Sequence, residues 1–560
     1  MCYKRLIWSV CVIVFLSETV TAHPPAPQYA FRVSFTDKKG TVSISNPLVF
    51  LSSRSMARRS RLSIPVDSSD LPVSPAYLDS VLTMPGSEIH VTSRWLNDCV
   101  VLLTDSSQAE ILRSKSFIKS AVFIAYYPSG LHKPAAGNTK FSAEQKTITA
   151  SHKPTGTALY YGQTYGQTTL VHGDFLHDGG YKGTGMLIAV LDAGFLGVND
   201  YADFDSLFLS SRLLDKHNFV LDLDTVFDYD GHGTSVLSTM AAYVPGTFVG
   251  TAPMAQYALY ITEDNNSEQP VEMDNMLAAT ERADSLGTDV VSVSLGYDIM
   301  DYNFSLTYSD IDGKSTVAAK AANIATQKGI LFVASAGNDG GTPWHYVLTP
   351  GDADSALTVG AVYIDKTAVG FSGYGPNAGG RLKPDVCDLG YQVTVYAENG
   401  VIVSEDGTSF STPQIAGWAA CLWQGSLHAT PFMIRNAIIK SADHYTIPDD
   451  QLGYGVPDFS KASQYLSVKD TPVDTAYWVT VSPNPFTSNI FVKMNLPSVQ
   501  RVYFTLYDMT GRAVYKYDRL VDTWNNPNVV LPAGTGISKG IYILKVSGTQ
   551  QTAAIKLFKN

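Results

Sequence analysis

Beyond residue 180 the chain repeats one pattern: a short, nearly unbroken apolar run, then a polar stretch with helical spacing. The runs are MLIAVL (Met186–Leu191), YALYI (Tyr257–Ile261), DVVSVSL (Asp289–Leu295), ILFVASA (Ile330–Ala336) and ALTVGAV (Ala356–Val362). Near-continuous apolarity means burial on both faces, as in strands of a parallel sheet. Between the runs, EMDNMLAATERADSLG carries Met273, Met276, Leu277 and Leu286 at helical spacing, and STVAAKAANIATQKG is a second helix. Strands alternating with helices predict an α/β fold with a mostly parallel sheet across about 155–466.

The pattern differs on either side. From His23 to about residue 130, strand-like stretches alternate with polar turns, and the run from Arg94 to Tyr127 reads as strand, short helix, strand. A polar segment follows, PSGLHKPAAGNTKFSAEQKTITASHKPTG, with the composition of a linker. Past Leu466 the helical spacing stops. Two-residue alternation takes over, broken by Pro, Asn and Gly, and predicts a small all-β sandwich over 475–560. At the start, Lys4 and Arg5 precede an apolar stretch from Leu6 to Leu16, and Val20-Thr21-Ala22 follows. That is the layout of a signal peptide over 1–22, too short to span a bilayer. No other long apolar stretch predicts a transmembrane helix in the mature chain.

Composition narrows the classes. Hydrophobic residues make up 45% and charged residues 16%, which fits globular protein. The net charge of −11 lacks the basic footprint of a nucleic-acid binder. Of five cysteines, Cys2 and Cys11 lie in the signal segment. Cys99, Cys387 and Cys421 are an odd set without metal-ligand spacing. Cys387 and Cys421 either pair or stay buried thiols.

Candidate chemistry gathers where the predicted strands end, the usual place for sites in open α/β sheets. AVLDAGF ends at Asp192, FVASAGNDG reaches Asn338, and SVSLGY ends at Ser294-Leu295-Gly296. DYDGHGTSVLSTMAA puts His232 in a glycine-flanked turn before a helix. VSEDGTSFSTPQIAG sets Ser409 at another helix start, where a serine is ordinarily an N-cap and Pro413 suits the first turn. Aspartate, histidine and serine thus occur in that order. A histidine can take the proton of an otherwise weak serine nucleophile while an aspartate holds the imidazole tautomer.

These blocks, LDAGF, DGHGT, SAGNDG and GTSFSTP, resemble the signature blocks of the subtilisin-like serine peptidases. The resemblance implies a subtilisin-like sheet with helices on both faces and a secreted serine endopeptidase that works through an acyl-enzyme. It implies Asp192, His232 and Ser409 as the triad, Asn338 as oxyanion donor, and Ser294, Leu295 and Gly296 as the strand that pairs with substrate. Ser235 and Ser238 depart from the family after the histidine; Phe410, Ser411 and Gln414 depart after the serine. Asp228 and Asp230 read as solvated loop acids that could tune His232 or favour basic side chains. No cofactor is required for the chemistry. Structural calcium is possible, but no EF-hand pattern supports it.

The flanks carry resemblances too. Residues 23–150 sit where such peptidases carry a propeptide and linker. VSPNPFTSNIFVKMNL, LYDMTGRAVY and the terminal GIYILKVSGTQQTAAIKLFKN resemble a C-terminal sorting domain of the type IX secretion system. That implies protein or peptide substrates, the type IX machinery as partner, and a secreted or cell-surface location reached through the periplasm of a Gram-negative bacterium. GISKG (Gly536–Gly540) matches a hydrolase nucleophile motif but reads as a turn, since no Asp or His follows it. The competing class is a catalytically silent surface binding protein or adhesin on the same fold.

Overall fold

The computed structural model describes residues 26–131, 140, 146–147, 158–467, 478–494, 496, 499–508, 511–521, 528–532, 536–549 and 552–559. The expected signal peptide and most of both linkers lie outside the described residues.

The N-terminal region is a four-stranded antiparallel sheet: β1 (Gln28–Phe35), β2 (Glu88–Ser93), β3 (Asp98–Leu103) and β4 (Ile118–Tyr127), in the order β2-β3-β1-β4. Two helices matter here, α1 (Ser53–Arg61) and α2 (Gln108–Ser114). Phe31, Val33, Val101 and Leu112 share its core. The strand–helix–strand reading of 94–127 corresponds to β3, α2 and β4. The helix α1, SRSMARRSR, was not expected, because it has no apolar stripe. Ser52 caps it by accepting from Ser55 N, and two of its arginines, Arg58 and Arg59, are buried against a neighbour described below.

Seven parallel strands form the central sheet: β5 (Leu187–Asp192), β6 (Leu213–Asn218), β7 (Gln256–Ile261), β8 (Val290–Val293), β9 (Leu331–Ser335), β10 (Leu357–Val362) and β11 (Val386–Leu389). Their order is β11-β10-β9-β8-β5-β7-β6. Five were legible as apolar runs. The two edge strands were not: β6 reads LLDKHN and β11 is only VCDL. Alternate residues of β5 serve opposite faces, as a pleated strand requires. Ile188 and Val190 pack under α3 (His232–Ala241) and α6 (Thr408–Gln424), beside Val236, Met240, Ile415 and Ala419. Ala189 and Leu191 pack under α4 (Val271–Leu286) and α5 (Val317–Gln327), beside Met276, Leu277, Ala318 and Ala322. Both helix layers therefore fix the carboxyl end of β5, where Asp192 stands. Cys99, Cys387 and Cys421 are all buried free thiols, so Cys387 and Cys421 are not paired.

The C-terminal region is all-β. A three-stranded sheet (Val479–Ser482, Ile490–Met494, Asn528–Leu531) and a four-stranded sheet (Gln500–Asp508, Ala513–Val521, Gly540–Ser547, Thr552–Lys559) are both antiparallel. Phe486, Ile490, Val492, Phe504, Leu506 and Leu544 fill one core between them. Gly536 is a turn and the next strand starts at Gly540, so GISKG is no nucleophile elbow.

The N-terminal region is held to α4 by buried charge. Asp284 accepts from Arg58 at 2.5 Å, Arg59 at 2.7 Å and Arg94 at 2.7 Å. Glu281 accepts from Ser93 Oγ at 2.6 Å and from the backbone N–H of Arg94 and Trp95 at 2.9 and 3.1 Å. Burial would raise the pKa of Asp284, but the three guanidinium groups outweigh it and hold the carboxyl below its ordinary range. Removing one member of a buried ion cluster strands the rest, at a cost of about 3–5 kcal/mol. Asp284→Ala is therefore expected to lower amide protection across Ser53–Arg61 by about two orders of magnitude, read by hydrogen exchange. Unchanged protection would show that α1 is held by other contacts.

Candidate active site

Four segments converge at the carboxyl edge of the sheet. Asp192 ends β5 fully buried. Its Oδ1 accepts from Ala193 N at 2.8 Å and faces His232 Nδ1 at 2.7 Å. That bond sets the tautomer: with Nδ1 donating to the carboxylate, Nε2 is the nitrogen able to take a proton. His232 is the first residue of α3 rather than part of a preceding turn. Close approach is possible because the next residue is glycine. A Cβ at Gly233 would lie 2.2 Å from the Gly194 carbonyl oxygen and 3.0 Å from Asp192 Cβ.

Asp230 is not a solvated loop acid. It is 4% exposed and its Oδ1 accepts from His232 N at 2.7 Å. Asp230 Oδ2 accepts from Asn265 Nδ2 and from Lys140 N, each at 3.2 Å. The sequence held the clue in its DYDGH spacing, but charge alone could not show which acid turns inward.

Ser409 is the second residue of α6 and 8% exposed. It does not cap the helix. The N-cap is Gly407, at φ +154°, a conformation that favours glycine, and no side chain caps there. Pro413 lies past the first turn, inside the helix. Having no N–H, it leaves the Ser409 carbonyl without its helical donor. Ser294 Oγ supplies that donor at 2.8 Å, and Ser409 Oγ in turn donates to the Ser294 carbonyl at 3.3 Å. The Ser294 side chain thus supports the serine. The His232 ring lies against Phe410, the residue after Ser409, with centroids 5.9 Å apart.

Asn338 follows β9 and is exposed. Its Oδ1 accepts from both Thr408 N and Thr408 Oγ1 at 2.9 Å. The amide is thereby oriented, and its Nδ2 lies near Gly407, 3.5 Å from where a Cβ there would stand. Thr408 is the residue that sequence reasoning passed over. Leu295 is buried and Gly296 packs so tightly on Leu348 that a Cβ would lie 2.7 Å from Leu348 Cβ.

A cluster of acids adjoins the site. Glu263, Glu268 and Glu272 bring carboxylate oxygens within 4.8 Å of one another, the one such metal-sized group among the described residues. The ammonium of Lys140 lies among them, 3.2 Å from Glu263, 2.8 Å from Glu268 and bonded to Glu272.

Burial works to lower the pKa of His232. The charge and hydrogen bond of Asp192, with the charges of Asp230 and Glu405, outweigh it and leave the pKa raised.

The parallel sheet and the similarity to subtilisins define a serine peptidase. The chain carries a peptidase domain of the subtilase family, whose profile matches residues 183–455. Residues 30–140 match the Peptidase S8 propeptide domain of Bacteroidota, and 480–560 match the secretion system C-terminal sorting domain. Subtilisin BL and Subtilisin Savinase of Lederbergia lenta are each 28% identical over 267 residues, covering 48% of this chain and 86% of theirs. The alkaline protease of Shouchella clausii is 28% identical, over 48% of this chain and 61% of its own. A solved structure, that of the MycP3 protease from the type VII (ESX-3) secretion system, overlays with a TM-score of 0.43 at 20% identity. It covers 58% of this chain and 94% of its own. The protein is a serine endopeptidase, and its sorting domain implies secretion through the type IX system. Among the described residues, no helix is long and apolar enough to cross a membrane.

The raised histidine pKa has a consequence for the rate. With His232 as the proposed general base, which must be neutral to act, kcat/KM should rise with pH through an apparent pKa above the ordinary histidine value of about 6.5. Glu405→Gln removes one charge that raises it and should move the acid limb to lower pH. A limb that stays in place would remove Glu405 from the electrostatics of His232.

Proposed function

We propose that Asp192, His232, Ser409 and Asn338 are the catalytic residues of this secreted endopeptidase. The observation that carries the reading is the 2.7 Å Asp192–His232 contact beside the helix start that bears Ser409. Ser409 Oγ attacks the scissile carbonyl carbon as His232 Nε2 takes its proton. Asp192 stabilises the imidazolium that forms. The Asn338 Nδ2 and Ser409 N–H groups donate to the oxyanion. His232 then protonates the leaving amine, an acyl-enzyme remains on Ser409, and water enters by the same steps in reverse. The substrate backbone pairs along Ser294–Gly296, the mode by which an extended peptide adds a strand.

The chain divides as a signal peptide over 1–22, a propeptide and linker over 23–150, the peptidase over 155–466 and the sorting domain over 475–560. The signal takes it into the periplasm of a Gram-negative bacterium. The type IX machinery then takes it across the outer membrane, to the surface or the medium.

Ser409→Ala is expected to abolish peptide hydrolysis and labelling by a fluorophosphonate probe while far-UV circular dichroism stays the same. Label retained in the variant would place the nucleophile elsewhere. Asn338→Ala should lower turnover by about 10²–10³, the magnitude belonging to the oxyanion-hole asparagine of subtilisin itself, with little change in KM. Normal turnover with a raised KM would make Asn338 a binding residue.

A chain ending near Asp470 keeps the sheet, both helix layers and the core. It should retain peptidase activity yet accumulate in the periplasm, as fractionation with an activity assay would report. Export at the normal level would sink the sorting role.

A further inference from the structure

The three glutamates beside the active site are arranged around a cation from elsewhere in the chain. Glu272 is fully buried; Asp264 N and Gln269 N donate to its two oxygens at 2.8 and 3.0 Å. Tyr297 Oη donates to Glu263 Oε1 at 2.6 Å. The carboxylates of Glu272 and Glu263 are therefore held in place by groups of the peptidase domain, independently of Lys140, whereas that of Glu268 meets Lys140. The Lys140 side chain that they surround is 11% exposed.

The pocket is connected to the catalytic groups on both walls. Glu263 lies two residues past the end of β7, and the residue between, Thr262, donates its N–H to the Asp192 carbonyl at 3.1 Å. Tyr297 is the next residue after the Ser294–Gly296 segment. The backbone of Lys140 is bound by the same Asp230 carboxylate that holds His232 N. Further along the same linker, Lys146 and Thr147 pair antiparallel with Ser404 and Val403, on the strand that leads into Ser409. The linker is thus anchored on the His232 side and again on the Ser409 side of the site.

We propose that this pocket is a specificity subsite for a basic side chain, lysine foremost, on the acyl side of the scissile bond, and that Lys140 occupies it as a tethered substrate surrogate. The inference rests on the proteolytic reading above and adds the substrate class. Burial works to lower the pKa of Lys140, but the charges of Glu272, Glu263 and Glu268 outweigh it and the amine stays protonated. An uncharged side chain there would leave those carboxylates buried against one another. Glu268, at the rim, is already pushed up to about 7 by burial and by its neighbour Glu263, against the pull of Lys140. A site built to hold one charge rejects its neutral or opposite counterpart more strongly than an apolar pocket rejects a misfit.

The test compares peptides that differ in one residue, lysine against norleucine and against glutamate, at each position on the acyl side. At one position lysine should give a kcat/KM at least about tenfold above norleucine, with glutamate the poorest. In Glu268→Gln and Glu263→Gln the lysine-to-norleucine ratio should fall toward one. Equal rates, or a preference that survives both substitutions, would overturn the proposal. The norleucine peptides separate the two readings. A chain that cleaves none of them and takes no fluorophosphonate label fails as a peptidase. A chain that cleaves them without preferring lysine fails only here. Calcium tests the rival occupant: a Tm raised by calcium in the wild type but not in Glu268→Gln, without lysine preference, would make the pocket a metal site. Lys140→Arg and Lys140→Glu leave the pocket itself untouched. Release of the N-terminal region should proceed normally in the first and at least about tenfold more slowly in the second, and equal rates would again overturn the proposal.

Discussion

A carboxylate taken out of water must meet a positive charge or a full set of donors, and this constraint shapes the molecule at three places. Asp192 meets the His232 imidazole, whose cationic form it stabilises. Asp284 meets three arginines from the N-terminal region. Glu272 and its neighbours meet Lys140. In each case the acid belongs to the peptidase domain and sits on or beside a rigid helix or strand. In the last two the cation comes from the N-terminal region or its linker. Desolvation makes such pairs weak contributors to net stability but costly to break singly. They act chiefly as registration marks, fixing which surface of the N-terminal region meets which surface of the sheet.

Much of the central sheet was legible because burial on both faces leaves strands almost without polar residues. β5, β7, β8, β9 and β10 could be read directly. The edges could not. β6 has one face toward solvent and mixes Asp, Lys and His with its leucines, while β11 is too short to show any period. The helix α1 was illegible for a different reason. Four arginines within nine residues read as solvent-facing, yet Arg58 and Arg59 are interior, because Asp284, more than two hundred residues away, and Asp70 accept from their guanidinium groups. A single sequence shows local period well and distant charge pairing hardly at all.

The same division holds at the site. Asp192, His232, Asn338 and Ser409 stood out because each ends a strand or opens a helix next to glycine. The groups that orient them did not. Asp230 read as a loop acid able at most to tune His232, Thr408 as a filler between glycine and serine, and Ser294 as part of the strand that pairs with substrate rather than as a support for Ser409. Their importance comes from contacts made through space: Thr408 to Asn338, Asp230 to the His232 backbone, Ser294 to Ser409. Pro413 shows how a local signal can mislead. It was expected in the first turn, where its missing N–H is harmless. Inside the helix the same missing N–H creates the vacancy that Ser294 fills.

That exchange between Ser294 and Ser409 fastens two segments 115 residues apart with one bond in each direction. One segment is the proposed bed for the substrate backbone and the other bears the proposed nucleophile. Both are measured from a common datum, so a shift of the bed carries the nucleophile with it. Slack elsewhere in the molecule, in the linkers or the outer strands, is therefore not transmitted to the distance between scissile carbon and hydroxyl. A proline that weakens its own helix by one hydrogen bond becomes the reason that this distance is set inside the peptidase domain alone.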